Sequence, residues 1–466
     1  MSHRTVDSAL PPLSGHRDLS KIQLIREGIG PITEKVWFCG HWVQTQLTEL
    51  QYCPYEGRHV GGRCMTGLGM SELETMNVYG ETGVGWDEKS LPNETVDEEG
   101  SYFVNRPGFA AGDPRSPRRR SYDDPGVLKL RRYLREHTGI KGLEICSPDE
   151  IDRARRIFFR DGFVVVRDLL DAAQLECFRE GCARVLKEIL SVPGKDGRKY
   201  MTETNRLPHR YSYGTSSASR QLLHDSVWAS MIDLSTTTPL LKAIFGSSDY
   251  LVGGAGGDLC LPGAIEYQRL HSDLADSLKL NDGRLAQAQA LGIELRKDEE
   301  TGELDLPTRR LIAERTPPVV TINFLMSDLT WENGPIRQIP GTHASQQSPP
   351  TPQEEPEWMR LSTLVGASAG AGVFRDNRAW HGATPNVGRE VRALPNVEYL
   401  APWSGGPGMA RTMPYEIWET LSPHAQHLCR HVKAEPGVWP AGAGVMHPLA
   451  ASRARAKDSY TSFEPR

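Results

Sequence analysis

The stretch Val319-Val-Thr-Ile-Asn-Phe-Leu-Met326 sets the strongest limit on the fold. In an extended chain Thr321 and Asn323 fall on one side, and Ile322, Phe324 and Met326 on the other. Such a segment needs a sheet with two unlike faces, one packed on apolar matter and one that accepts polar groups. The 45 Gly and 33 Pro in 466 residues point the same way, since they favour turns and short strands over long helices. That length holds one large elaborated domain or two to three ordinary ones.

Other elements read as follows. Ser147-Pro-Asp-Glu150 is a capping box with Pro at the first helical position, and Ile151, Ala154, Ile157 and Phe158 continue an apolar stripe at helical spacing. Asp161-Gly162 ends that helix, and Phe163–Val166 is a short β-branched strand. A second helix is expected from near Asp171 to about Leu190, and partial helix between Asp225 and Phe245. Leu259 to Leu270 is strand material interrupted by Pro262-Gly263. Residues 276–316 form a charged insert, a surface helix and a loop, acting either as a lid or as a passive excursion. Arg210-Tyr-Ser-Tyr213 suits a pocket-lining strand and a half-exposed edge equally. A further helix is expected near Tyr415–Val432. The expected layout is an irregular N-terminal extension packing on the core (1–146), a main domain (147–403) and a C-terminal helical and loop extension (404–466).

The net charge of −5 and pI near 6.3 give no general attraction to nucleic acid or anionic membrane. No apolar run of about eighteen residues is present, so no membrane span is expected. The N-terminus lacks an apolar h-region, and the eight Cys are scattered, which suggests reduced thiols in a cytoplasmic protein. Cys39, His41, Cys53, His59 and Cys64 lie close in sequence but form no C-x-x-C pair, so ordinary thiols and surface His are preferred to a zinc site. Arg115 to Arg135 contains the one basic stretch, diluted by Asp123, Asp124 and Glu136, and reads as a solvated face.

Three side chains suggest chemistry. His271 and Asp273, two residues apart at the end of an alternating run, face the same way and could give one nitrogen and one oxygen to a divalent ion. A third ligand would complete the two-His-one-carboxylate face that holds non-haem Fe(II) with positions left open. In Val373-Phe-Arg-Asp-Asn-Arg-Ala-Trp-His381-Gly-Ala-Thr384-Pro-Asn-Val-Gly-Arg-Glu-Val-Arg392, the Pro385–Gly388 turn is flanked by strand-like text. A two-residue hairpin loop at Asn386-Val387 would place His381 directly opposite Arg392, with Cβ atoms roughly 5 Å apart. A guanidinium there suits bidentate capture of a carboxylate whose far end chelates the metal.

These residues, with Asp161-Gly-Phe-Val-Val-Val, Gln268-Arg-Leu-His-Ser-Asp273 and Glu332-Asn-Gly-Pro-Ile-Arg-Gln-Ile-Pro-Gly-Thr-His343, resemble the phytanoyl-CoA dioxygenase family of Fe(II)- and 2-oxoglutarate-dependent oxygenases. The resemblance spans roughly Ser147 to Trp403. It implies a mainly β fold with flanking helices, built on a double-stranded β-helix (jelly-roll, cupin-like) core. It makes His271, Asp273 and His381 the iron ligands and Arg392 the anchor of 2-oxoglutarate. His343 is a rival third ligand, but the Pro-Gly-Thr-His turn is structural in such proteins. The family's Ser two residues after the distal His is Ala383 here, with Thr384 next. Thr384, Asn323 and Gln268 join Arg392 as expected cosubstrate contacts. Asp273 stands where related halogenases have a small residue, which argues for an oxygenase outcome. The expected protein is a dioxygenase of secondary metabolism that hydroxylates an unactivated C–H of a small molecule, using Fe(II), 2-oxoglutarate and O₂ with ascorbate as reductant. It would be a monomer or homodimer. Desaturation, cyclisation, a silent β-helix binding module and a cupin-type isomerase are the alternatives, and a protein substrate is a further one.

Overall fold

The computed structural model describes residues 33–38, 41–46, 85–86, 121–191, 209–213, 221–265, 267–275, 280–345, 347–351 and 354–440. It divides into two units, Met1–Arg63 and Cys64–Arg466. In the first, β1 (Thr33–Phe38) and β2 (His41–Gln46) pair as an antiparallel hairpin. The Cys39–Cys64 cluster lies outside the described residues, apart from the backbone of His41.

The second unit is built on a seven-stranded sheet. Its members are β3 (Ile145–Cys146), β4 (Phe163–Val166), β5 (Arg210–Tyr213), β6 (Leu251–Cys260), β7 (Val319–Phe324), β9 (Gly372–Asp376) and β11 (Arg392–Leu400). Their order is β3-β4-β9-β7-β11-β6-β5, and only β3 and β4 run parallel. The alternation read in 319–326 is realised: Ile322 and Phe324, with Phe374, Val397 and Tyr399, pack into the main apolar core. The helices Ile151–Asp161, Ala172–Ser191 and Thr238–Phe245 cover that face. Directly opposed residues share a face, so the register sets Asn323 beside Asn396 and Val373, and Thr321 beside Glu398 and Arg375, on the other side.

A smaller sheet faces this one. β8 (Arg337–Gln338) pairs with β10 (His381–Gly382), Thr363 bridges Arg337, and His271 bridges His381, so four chain segments lie side by side. Two sheets with helices outside make the double-stranded β-helix expected from the family resemblance.

Several local expectations are corrected. The first helix starts at Ile151, not in the Ser147 box; Ser147 and Glu150 do bond (Ser147 N to Glu150 Oε2, 2.8 Å), but they close a turn ahead of it. β6 begins at Leu251 and ends at Cys260, so the glycine-rich run, not Leu259–Leu270, is the strand. At Gly257 a Cβ would stand 2.5 Å from Tyr213 and from the Leu394 carbonyl, so close strand packing demands glycine there. The insert carries two helices, Asp282–Ala290 and Leu306–Arg315, around a small core of Ala288, Ile293 and Ile312. The C-terminal helix is two short ones, Tyr415–Trp418 and Pro423–Leu428, because Ser422 and Pro423 start a new helix. The helix Pro125–His137 lies in text read as irregular. Its Arg131 is buried rather than solvated, 3.5 Å from the Tyr122 ring. β5 is an edge strand, but all four of its residues are buried, so the half-exposed reading of that stretch fails; its Arg210 and Ser212 pair with the inner-face residues Cys260 and Asp258.

The expected hairpin across Asn386-Val387 does not form. β10 belongs to the small sheet and β11 to the large one, with Arg392 opposite Cys260. The Asn386 amide donates to the Cys260 carbonyl (2.9 Å) and to the Glu390 carbonyl (2.8 Å), which pins the connection where it crosses between sheets.

Among the described residues, Cys146, Cys177, Cys182, Cys260 and Cys429 are thiols outside any disulfide. No helix among the described residues is long and apolar enough to cross a membrane.

Arg337 and Glu355, 0% and 3% exposed, form an ion pair inside the small sheet, and Arg337 also donates to the Gln268 carbonyl. Removing one member strands a buried charge. Arg337→Met should cost roughly 3–5 kcal/mol in urea unfolding, and the double change Arg337→Met/Glu355→Leu should recover most of it. Equal loss in both variants would refute this account.

Candidate functional site

His271 and His381 exchange both backbone hydrogen bonds, His381 N to His271 O at 2.9 Å and His271 N to His381 O at 3.1 Å. Residues paired this way project their side chains to the same side, and the two imidazole centroids lie 4.3 Å apart. Asp273 is fixed by its own N–H, which donates to Asn377 O at 2.9 Å. Its Oδ1 lies 3.5 Å from His271 Nε2 and its Oδ2 3.5 Å from His381 Nε2. One ligand atom from each of the three residues falls within 4.8 Å of the others.

The ring orientations suit metal binding. His271 Nδ1 lies 3.1 Å from the Arg269 carbonyl and His381 Nδ1 3.0 Å from the Ala379 carbonyl. An Nδ1–H donated to a carbonyl leaves the Nε2 lone pair free, which is the usual arrangement of a metal-bound imidazole. Cis ligands about an octahedral ion sit roughly 3 Å apart for bonds of about 2.1 Å, so the two Asp273–imidazole separations are within about half an ångström of that spacing. His271 and Asp273 keep 34% and 35% side-chain exposure, so the open side faces solvent, while His381 keeps 12%. Two imidazoles and one carboxylate are the donor set of a non-haem Fe(II) centre.

Arg375 is a site residue that the sequence reading passed over. Its Nη1 donates to Asp273 Oδ2 at 2.7 Å and stands 3.1 Å from His381 Nδ1. With Nδ1–H donated to Ala379, the second contact is crowding rather than a hydrogen bond. The sequence marks Arg375 as a strand residue six positions before His381, but its reach to Asp273 is a contact between sheets that local pattern does not show. Burial alone would raise the Asp273 carboxyl, but Arg375 and then the imidazoles hold it well below the ordinary carboxylate range. Burial, then Arg375, keeps His381 well below its usual value and therefore neutral, as a ligand must be.

Arg392 is 2% exposed on the inner face of β11. Its Nε donates to Gly334 O at 3.0 Å, and its Nη1 is buried with no hydrogen-bond partner among the described residues. An unsatisfied guanidinium nitrogen is costly unless something meets it, and a carboxylate fits. Arg210 lies across Cys260 in the same row and donates to Thr384 O at 2.6 Å. The other expected cosubstrate contacts are differently engaged. Gln268 Oε1 accepts from Ala383 N at 3.1 Å, the Thr384 hydroxyl donates to Pro335 O, and the Asn323 side chain, 5% exposed, makes no hydrogen bond to a described residue. His343 is buried apart from the triad, packed against Gly162.

Glu398 shares the Thr321–Arg375 row. Burial, and after it the Asp273 charge, push its carboxyl up to about 7. A raised carboxyl value favours the protonated folded state, so the group weakens the fold as pH climbs from about 4.5 through 7. In metal-free protein, Glu398→Gln should therefore stabilise by about 2–3 kcal/mol at pH 8 and leave stability unchanged at pH 4, read from urea midpoints. A pH-independent effect would contradict that assignment.

The family model for phytanoyl-CoA dioxygenase (PhyH) matches residues 158–394, just over half of the chain. No curated protein matches. Among solved structures, HygX from Streptomyces hygroscopicus, with nickel, 2-oxoglutarate and hygromycin B bound, is 15% identical over 54% of this chain and 87% of its own, at a TM-score of 0.35. The epimerase SnoN in complex with Fe3+, alpha ketoglutarate and nogalamycin RO is 16% identical over 66% and 98%, at 0.36. The carbocyclase SnoK from nogalamycin biosynthesis is 15% identical over 55% and 87%, at 0.33. The family match runs from the first core helix through both strands that carry His381 and Arg392, and the chain belongs to the phytanoyl-CoA dioxygenase family of Fe(II)- and 2-oxoglutarate-dependent enzymes.

Proposed function

We propose that the protein is a dioxygenase that hydroxylates an unactivated C–H of a small-molecule metabolite. Substrate, O₂ and 2-oxoglutarate would give the alcohol, succinate and CO₂. The observation that carries this reading is the convergence of His271, Asp273 and His381 within 4.8 Å, in a barrel whose Arg392 holds an unpartnered buried nitrogen. Bound there, iron and 2-oxoglutarate would supply the oxidising power, with ascorbate keeping the metal reduced.

The chain's own tasks follow from the geometry. His271, Asp273 and His381 hold the metal and leave its other positions open. Arg375 holds one carboxylate oxygen of Asp273 and so orients this ligand. Arg392 anchors the distal carboxylate of the cosubstrate by charge-assisted hydrogen bonds. Asn323 offers its free amide to the same molecule. Gln268 and Thr384 line its site and fix the backbone at Ala383 and Pro335. We assign catalysis to residues 147–403 with the insert 276–316, flanked by extensions 1–146 and 404–466. The setting is cytoplasmic secondary metabolism, as a monomer or homodimer.

Succinate release in the presence of Fe(II), ascorbate and a metabolite panel should depend on 2-oxoglutarate and fall to background in His381→Ala. Arg392→Leu should raise the KM for 2-oxoglutarate roughly 10- to 100-fold, the worth of a charge-assisted contact. Mass analysis of the product should show one added oxygen; loss of two hydrogens would instead identify desaturation or ring closure. Full activity in His381→Ala would end this reading.

A further inference from the structure

Along β11, Arg392, Leu394, Asn396 and Glu398 share the inner face. Arg392 and Glu398 are six residues apart with no bulge between them, about 20 Å along the strand. A five-carbon diacid held at Arg392 is far too short to span that separation. Glu398 instead lies out of that diacid's reach, in the row of Arg375, whose long side chain extends to touch Asp273.

The polar groups of this wall divide into satisfied and free. The Thr321 hydroxyl donates to Asn377 Oδ1 at 2.6 Å, Arg375 is held by Asp273, and Asp258 takes the Ser212 hydroxyl. Across from Glu398 stands Gly254, with no side chain, and Gln221 above it accepts on its Oε1 from the Ala255 N–H at 2.9 Å. The side chains of Asn396 and Glu398 make no hydrogen bond to any described residue. Both are part-exposed on a face that otherwise looks into the barrel. Polar side chains in such a place meet solvent or a ligand.

We propose, on the iron and 2-oxoglutarate reading above, that Asn396 and Glu398 bind the primary substrate, and that this substrate presents amine or hydroxyl donors to them. A carboxylate accepts hydrogen bonds, and an amide both accepts and donates. An anionic group at this wall would meet the Glu398 carboxylate itself, so the phosphates and carboxylates of an acyl-CoA are disfavoured there. Glu398 fixes the orientation of the donor and with it which carbon faces the metal.

The test uses full-length protein with Fe(II), 2-oxoglutarate and four probes: glucosamine, glucose, N-acetylglucosamine and palmitoyl-CoA. Succinate release above the substrate-free rate and the shift in unfolding temperature are read for wild type, Glu398→Gln and Glu398→Leu. The visible charge-transfer absorption of anaerobic Fe(II)–2-oxoglutarate protein is recorded in the same samples. The expected result is that amine- or hydroxyl-bearing probes raise succinate release or the unfolding temperature of wild type and palmitoyl-CoA does not. Glu398→Leu should lose at least tenfold of the response with its absorption band intact, and Glu398→Gln should fall between. Equal responses in all three proteins, a preference for palmitoyl-CoA, or no response of wild type to any amine or hydroxyl probe would each overturn the proposal. A band present in wild type and lost in Glu398→Leu would move Glu398 into the iron centre and overturn it too. Absence of the band in wild type would fault the parent reading instead.

Discussion

A two-residue backbone exchange between His271 and His381 underlies the whole site. The residues are 110 positions apart in sequence, and nothing local brings them together. Their reciprocal hydrogen bonds put both rings on one side and leave only Asp273 to be placed, which its own N–H accomplishes through Asn377. The pairing is itself held from behind. Gln338 lies on the other side of His381, and Arg337 next to it ties the Gln268 carbonyl into the small sheet through a buried ion pair.

Charge is arranged around that exchange with little redundancy. Arg375 offsets the Asp273 carboxylate from inside the large sheet, while Arg392 and Arg210 put positive charge in the Cys260 row. The interior therefore carries a guanidinium at Arg392 and a carboxylate at Glu398, six residues farther along the same strand. A barrel polarised in this way can admit two molecules and keep them from exchanging places.

Much of this was legible in the sequence. The alternation in 319–326 gave the inner and outer faces, and the triad and Arg392 could be named from spacing and family resemblance. The hairpin meant to join His381 to Arg392 failed because strand-turn-strand text looks alike whether the strands pair with each other or part into opposite sheets. What decided it was the long-range grip of Asn386 on Cys260, 126 residues away. Arg375 was missed because alternation marks a face but does not say which inner residue reaches a ligand from another sheet. The strand through Gly253–Gly257 was hidden for a physical reason: glycine has weak strand preference, and here it is required by close neighbours.

The crossing segment between the sheets is also gripped from upstream. Arg131 donates to the Val387 carbonyl at 2.9 Å and the Trp86 indole to the Gly388 carbonyl at 2.8 Å. Both donors come from sequence well before the portion that the family model describes. A shortened protein trimmed to the family's limits would leave two carbonyls bare where the chain crosses between the sheets. The barrel of this chain thus wears a collar, and the fold of its crossing segment leans on residues outside the matched portion.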